Sequence, residues 1–189
     1  HDNTVLIEKF IPGREFRIFI INDEVVGILH RVPANVTGDG VLNIGQLIDR
    51  KNEDPLRGKG YRTPLEKIRK GREEEMFLKQ QGMDFNTVPK EGEVVYLREN
   101  SNISTGGDSI DFTDDIDDSY KAIAVEAAKA LNVKITGLDM MIQDIHAPAT
   151  PDNYAIIEMN FNPAIHIHCY PFKGKNRHLN HKMIRALGF

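Results

Sequence analysis

The sequence predicts a mixed α+β fold with a mainly antiparallel sheet flanked by helices, and three observations carry that prediction. Short apolar segments punctuated by Ile11-Pro12-Gly13 and Asn22-Asp23-Glu24 open the chain, the pattern of strands broken by turns. An apolar stripe of helical period then runs through residues 117 to 132. Two further strand-like segments, residues 135 to 145 and 154 to 160, follow that helix and are joined by a Pro-containing loop.

Each element has its own local warrant. Residues 4 to 10 and 15 to 21 read as strands, as do residues 25 to 31 after the Asn-Asp turn. In the second of these Phe16, Ile18 and Ile20 share one face, whereas Glu15 and Arg17 share the other, so a polar pair looks out of an otherwise buried sheet. Residues 37 to 92 change character and read as a charged, helical insertion. Within it Ile44, Leu47 and Ile48 have helical spacing, Thr63-Pro64 predicts a helix start before Leu65, and residues 73 to 81 predict a short helix stopped by Gly82. Strand character returns at residues 94 to 98, and a polar loop spans 99 to 111. Tyr120, Ile123, Ala124, Ala127, Ala128 and Leu131 then form the stripe of the long helix. A last helix is expected over residues 176 to 187.

Bulk properties narrow the function classes. The chain of 189 residues suits one domain or one lobe of a larger enzyme. A net charge of −4 gives no general attraction for nucleic acid or anionic lipid. No apolar run approaches the roughly 20 residues of a membrane helix, and no secretory signal is visible, so a soluble protein is expected. A single cysteine, Cys169, cannot form an internal disulfide and fits a cytoplasmic setting. The chain opens on His-Asp-Asn without an initiator Met, which reads as a fragment whose first strand continues a fold begun upstream.

Several residues could do chemistry. Glu158 and Asn160 lie two apart on a strand and share a face, and the apolar Ile156 and Ile157 before them suggest that they emerge from a buried element. If that strand pairs with the one carrying Asp139, two carboxylates and an amide oxygen meet, a hard donor set of the kind Mg²⁺ takes. Solvent-facing strand residues produce the same alternation. The loop Ile103-Ser104-Thr105-Gly106-Gly107-Asp108 is either an anion-binding nest or an ordinary turn. Arg98 and Arg31, each at a strand end, would hold a phosphate or carboxylate or sit on the surface. His166, His168, Cys169 and His178 lack the paired spacing of a zinc site, and packing near the site is the favoured reading.

Taken in order, these pieces resemble the ATP-grasp superfamily of ATP-dependent carboxylate–amine ligases. The segments are Glu8-Lys9-Phe10-Ile11-Pro12-Gly13-Arg14-Glu15-Phe16-Arg17, His30-Arg31-Val32-Pro33-Ala34, Asn102-Ile103-Ser104-Thr105-Gly106-Gly107, Gly137-Leu138-Asp139 and Glu158-Met159-Asn160. They cover essentially the whole chain. Within the superfamily the likeness is to the C-terminal ligase module of bacterial bifunctional glutathione-synthesising enzymes, with cyanophycin synthetases as relatives. Residues 100 to 111, Asn-Ser-Asn-Ile-Ser-Thr-Gly-Gly-Asp-Ser-Ile-Asp, favour the glutathione branch.

The resemblance implies roles. Glu8, Lys9 and Ile11 match the segment that contacts adenine, and Glu15 the residue that binds ribose hydroxyls. Asp139, Glu158 and Asn160 match the ligands of Mg²⁺ or Mn²⁺ between the ATP phosphates. Arg98 and Arg31 match basic residues near the transferred phosphate, and Asn102 with Gly106 and Gly107 borders the acceptor site. The implied substrates are ATP, γ-glutamylcysteine and glycine, joined through an acylphosphate. The implied partners are upstream domains of the same polypeptide, with a homodimer among the options and neither nucleic acid nor membrane. A cyanophycin synthetase-like ligase or a non-catalytic binding lobe are the alternatives. The family's phosphate-contacting lysines lie upstream of Glu8, so the chain by itself is expected to fold without ligating.

Overall fold

The computed structural model describes Val5 and residues 9–189; Glu8 and most of the strand expected over residues 4 to 10 lie outside the described residues. Strand β1 (Arg14–Ile21) turns back into β2 (Glu24–Val32) through Asn22 and Asp23, both at positive φ. Two consecutive left-handed residues make the tight hairpin whose twist matches its strands, and Asn and Asp tolerate that conformation best after Gly. A short β3 (Asn35–Thr37) leads to helix α1 (Ile44–Lys51), where Asn43 and Gln46 form a capping box. The two-residue strands β4 (Arg57–Gly58) and β5 (Leu65–Glu66) pair in parallel, before α2 (Arg72–Gln80) and β6 (Val94–Tyr96). A 3₁₀ turn (Ile103–Thr105), β7 (Asp108–Asp111), α3 (Asp118–Ala130), β8 (Ile135–Ile142), β9 (Tyr154–Asn160), α4 (His166–Cys169) and α5 (Leu179–Ala186) complete the chain.

The main sheet has five strands in the order β7-β2-β1-β8-β9, every pairing antiparallel. Period-2 alternation sends Phe16, Ile18, Ile20, Leu138, Met140 and Ile142 to one face. There they pack on Tyr120, Ala124 and Ala128 of α3, all fully buried. The small alanines let α3 lie close to the sheet, and Asp117 caps it by accepting from the Ser119 N–H at 2.9 Å. A second core forms over β3, α1, α2 and β6, from Val36, Ile44, Ile48, Leu78, Val95 and Leu97 among others.

Four local expectations need correction. Residues 65 to 68 are not helical: Leu65 and Glu66 pair with β4, and the Thr63 hydroxyl donates to the Leu65 carbonyl instead of capping a helix. The 99 to 111 loop holds a strand at its end, β7, because β2 offers a free edge to Asp108–Asp111. The last helix starts at Leu179, three residues late, after His178 turns through a left-handed conformation. Strand β9 is an edge strand with Ile156 and Ile157 41% and 58% exposed, not the buried element that two consecutive isoleucines suggest.

The β8–β9 pairing contains a β-bulge. Asp139 opposes Glu158, but the next residue, Met140, opposes Ile156, so Ile157 is extra. Tyr154 and Ile156 therefore lie opposite Ile142 and Met140, on the α3 side, while Glu158 and Asn160 lie opposite Asp139 and Gly137 on the other side.

Candidate active site

The second face of the sheet is polar across its middle. Glu15 and Arg17 from β1, Arg31 at the end of β2, Asp139 from β8 and Glu158 with Asn160 from β9 share it, set by the strand registers. Asp139 is the hub. Arg17 grips its carboxylate with two donors, Nε and an Nη2 bond of 2.7 Å, and Arg31 adds a third at 2.9 Å. Asp139 is 1% exposed and Arg17 7%, so this is a buried ion pair held by a bidentate fork. Gly137 makes it possible, since a Cβ there would lie 2.9 Å from Arg17 Cδ and 2.7 Å from Pro163.

Arg31 also bridges to Glu15, and the Ser101 hydroxyl donates to the same Glu15 carboxylate. One guanidinium thus joins two carboxylates that the sequence suggested for different tasks. Its Nε is buried without a hydrogen-bond partner among the described residues, a donor left for an anion. On the β9 side, Asn160 Nδ2 donates to Glu158 Oε1 at 3.0 Å, which leaves the amide oxygen of Asn160 free.

The donor set here has the chemistry of a metal site. Directly opposed residues of an antiparallel pair project to the same side, so Asp139 and Glu158 share a face, with the Asn160 amide beside Glu158. Two carboxylates and an amide oxygen are hard donors suited to Mg²⁺ or Mn²⁺. Among the described residues no three His, Cys, Asp or Glu side chains converge as a metal cluster, so this set reaches three donors only through the amide.

A cleft of about 690 Å³ is lined by Glu15, Arg31, Arg98, Asn102 and Met141 among others, and Asp139, Glu158 and Asn160 are not in its lining. Four of the sequence-predicted residues thus meet in one cavity. A smaller cleft of about 190 Å³ lies alongside, reached by Arg17, Ser104 and His166, and Arg31 and Asn102 border both. His30 lines the larger cleft with its pKa pushed down to about 4, first by burial and then by the Arg14 charge, so its ring is neutral at pH 7.

Other predicted residues are placed differently. Lys9 is exposed and Ile11 half-buried, ahead of Gly13, which lines the larger cleft. Gly106 and Gly107 do not form an open nest. Their N–H groups bond back to the Ile103 and Asn102 carbonyls, at 3.1 and 3.2 Å. Gly106 sits at φ +96°, and any Cβ there would meet the Ile68 backbone at 2.8 Å, so these glycines serve close packing. Arg98 points to α2, where its Nε donates to Glu74 at 2.6 Å and Nη1 to Glu73. His168 and Cys169 are buried behind the site against Phe19, and Cys169 Sγ lies 3.8 Å from the Asn180 amide oxygen.

Two site residues escaped sequence reasoning. Arg17 carried a signal, an arginine two residues from Glu15 between Phe16 and Ile18, but it was expected to look outward and is instead buried under Asp139. Ser101 carried none.

Comparison with known proteins bears on this geometry directly. The chain is 66% identical over all 189 residues to the glutathione biosynthesis bifunctional protein GshAB of Desulfotalea psychrophila, of which it covers 24%. It is 59% identical over 186 residues, 98% of the chain, to the GshAB protein of Clostridium perfringens, again covering 24% of it. Along its whole length this sequence matches one part of bifunctional glutathione biosynthesis proteins. A solved structure, the bifunctional glutathione synthetase from Pasteurella multocida, superposes on 94% of the chain with a TM-score of 0.85 at 46% identity, and the match takes up 25% of that structure. The chain therefore spans about a quarter of the length of the curated relatives it matches. No protein-family model matches it. No helix among the described residues is long and apolar enough to cross a membrane.

Proposed function

We propose that this chain forms the metal- and nucleotide-binding part of an ATP-dependent carboxylate–amine ligase that joins γ-glutamylcysteine to glycine. The observation that carries the reading is the convergence of Asp139, Glu158 and Asn160 on one sheet face, next to a cleft lined by Glu15 and Arg31. Whole-chain identity to bifunctional glutathione biosynthesis proteins supports the substrate choice.

In this reading Glu15 accepts from the ribose hydroxyls, and Glu8, Lys9 and Ile11 border the adenine. Asp139, Glu158 and Asn160 hold Mg²⁺ or Mn²⁺, which would offset phosphate charge when bound. Arg31 gives its unpartnered Nε to the transferred phosphoryl group, a contact worth most where charge develops. Arg17 holds the Asp139 carboxylate in a fixed orientation. The carboxylate of γ-glutamylcysteine attacks the γ-phosphorus and ADP leaves; the glycine amine then displaces phosphate from the acylphosphate. Asn102 borders the acceptor. Positioning of the two substrates supplies much of the rate. We place the enzyme in the cytoplasm, where Cys169 stays reduced.

The test is a protein of the relatives' full length that carries this sequence, assayed with ATP, Mg²⁺, γ-glutamylcysteine and glycine. Glutathione and phosphate should appear in equal amounts, and removal of Mg²⁺ should stop both. Phosphate release that ignores γ-glutamylcysteine, or that needs arginine and aspartate instead, would overturn the assignment.

A further inference from the structure

We propose that Arg98 is a positioning residue: it latches helix α2 against the larger cleft, so that α2 and β6 form a wall that contacts the bound nucleotide. The proposal rests on the reading that the cleft takes ATP.

Three observations carry it. First, Arg98 is anchored on α2. Its Nε donates to Glu74 at 2.6 Å and its Nη1 to Glu73, both on the first turn of α2. Glu74 is 1% exposed, and its other oxygen accepts from the Gly71 N–H at 2.9 Å, closing the helix start. An arginine that swung to a phosphate would leave a buried carboxylate unpaired, which is strongly unfavourable.

Second, the latched helix reaches the ligand space. Phe77 and Gln81 line the same cleft as Glu15 and Arg31, together with Tyr96 from β6. Phe77 lies one turn beyond Glu73 and Glu74, and Gln81 one turn beyond Phe77, so all project along one side of α2.

Third, this wall has a finished construction with open valences toward the cleft. Gln81 Nε2 donates to the carbonyls of Phe77 and Tyr96, both at 3.0 Å, and so ties the end of α2 to β6. That leaves the amide oxygen of Gln81 as an acceptor beside two aromatic rings. Flat apolar surface next to one acceptor suits a base–ribose group, the half of ATP that lies away from Asp139 and Glu158.

A latch and a phosphate contact differ in kinetics. A wall that touches the base–ribose half acts equally in ground and transition states, so its loss raises KM and spares kcat. In a full-length protein carrying this sequence, Arg98→Ala and Glu74→Gln should each raise KM for ATP about tenfold with kcat within about twofold, and the double variant should be no worse than the weaker single. Phe77→Ala should change KM the same way. In the same variants without ligand, amide exchange over residues 72 to 80 should speed up, a readout independent of turnover. A fall in kcat of about a hundredfold in Arg98→Ala, with Glu74→Gln unchanged, would overturn the latch and make Arg98 a phosphate contact. Unchanged exchange over α2 in both variants would overturn it as well. Should Arg98→Ala fail to fold, Arg98→Lys, which keeps the charge but loses the fork, is scored in its place. Failure of the unaltered protein to bind ATP would sink the nucleotide reading and with it the wall's ligand, while the exchange measurement would still decide the latch.

Discussion

The two faces of the five-stranded sheet are built from the same strands and do opposite work. On one, Phe16, Ile18, Leu138 and Met140 pack on α3 and are fully buried. On the other, their immediate neighbours Glu15, Arg17 and Asp139 make an ionic site. Leu138 and Asp139 differ by a single step along β8. The comparison teaches that the site needs no separate scaffold. Close packing on the α3 side fixes each strand to a fraction of an ångström, and period-2 geometry passes that precision to the polar side.

The comparison can be broken from either side, beginning with the hub. Asp139→Ala leaves Arg17 buried beside Arg31 without their shared carboxylate, and should lower stability by about 3–5 kcal/mol besides abolishing ligation. Adding Arg17→Met should recover much of the stability and none of the activity. Urea denaturation of the three proteins checks this, and a single variant as stable as the parent would refute a buried hub. Leu138→Ala, one residue away, should cost about 2–5 kcal/mol yet leave KM for ATP close to normal in the folded fraction. A rise in KM matching that of a site variant would show that the faces are not separable.

His168 offers a finer probe behind the site. Its folded-state pKa is pushed down to about 3, chiefly by burial and then by the Arg17 charge, from an ordinary 6.5. Between those values the unfolded chain binds the extra proton, so stability is complete above pH 6.5 and falls as the pH drops. At pH 5 the loss from this group is about 2 kcal/mol. His30, pushed down to about 4, adds a loss of the same sign. Asp111 and Asp117, whose pKa values are lowered from 3.8, act only below that pH and leave the window clear. Urea midpoints between pH 7.5 and 5 should fall steeply for the parent and less steeply for His168→Phe; parallel slopes would contradict the burial.

The smallest effect on stability should come from Glu158→Gln. Glu158 is exposed, so its loss should change stability by less than about 0.5 kcal/mol. Mg²⁺-dependent turnover should nevertheless collapse. Unaltered turnover over a Mg²⁺ titration would remove Glu158 from the metal set.

What was legible in the sequence follows from the range of the forces involved. Strands β1, β2, β8 and β9 and helix α3 were readable because alternation and stripe are local signals with one burial direction each. The shared face of Glu158 and Asn160 was readable for the same reason. Strand β7 was hidden because it exists only by pairing with a distant edge, that of β2. Arg17 was misjudged because a charged residue on a strand defaults to solvent, and only Asp139, 122 positions later, makes burial tolerable. The ion pairs of Arg98 with Glu73 and Glu74 were hidden too, because those residues lie about 25 positions before it on a separate helix.

The extra residue at Ile157 has a consequence for how this segment tolerates change. Tyr154, Ile156, Glu158 and Asn160 are all even-numbered, and in a regular strand they would share one side. The bulge divides them, the first two toward α3 and the last two toward Asp139. The segment therefore counts residues more strictly than it reads them. Position 157 contributes mainly length, its side chain being 58% exposed, so many amino acids should be accepted there. A one-residue deletion is another matter. It would restore a regular ladder and turn either the tyrosine and isoleucine or the carboxylate and amide to the wrong side. In a survey of insertions and deletions along the chain, position 157 should stand out as indifferent to spelling and intolerant of a lost letter.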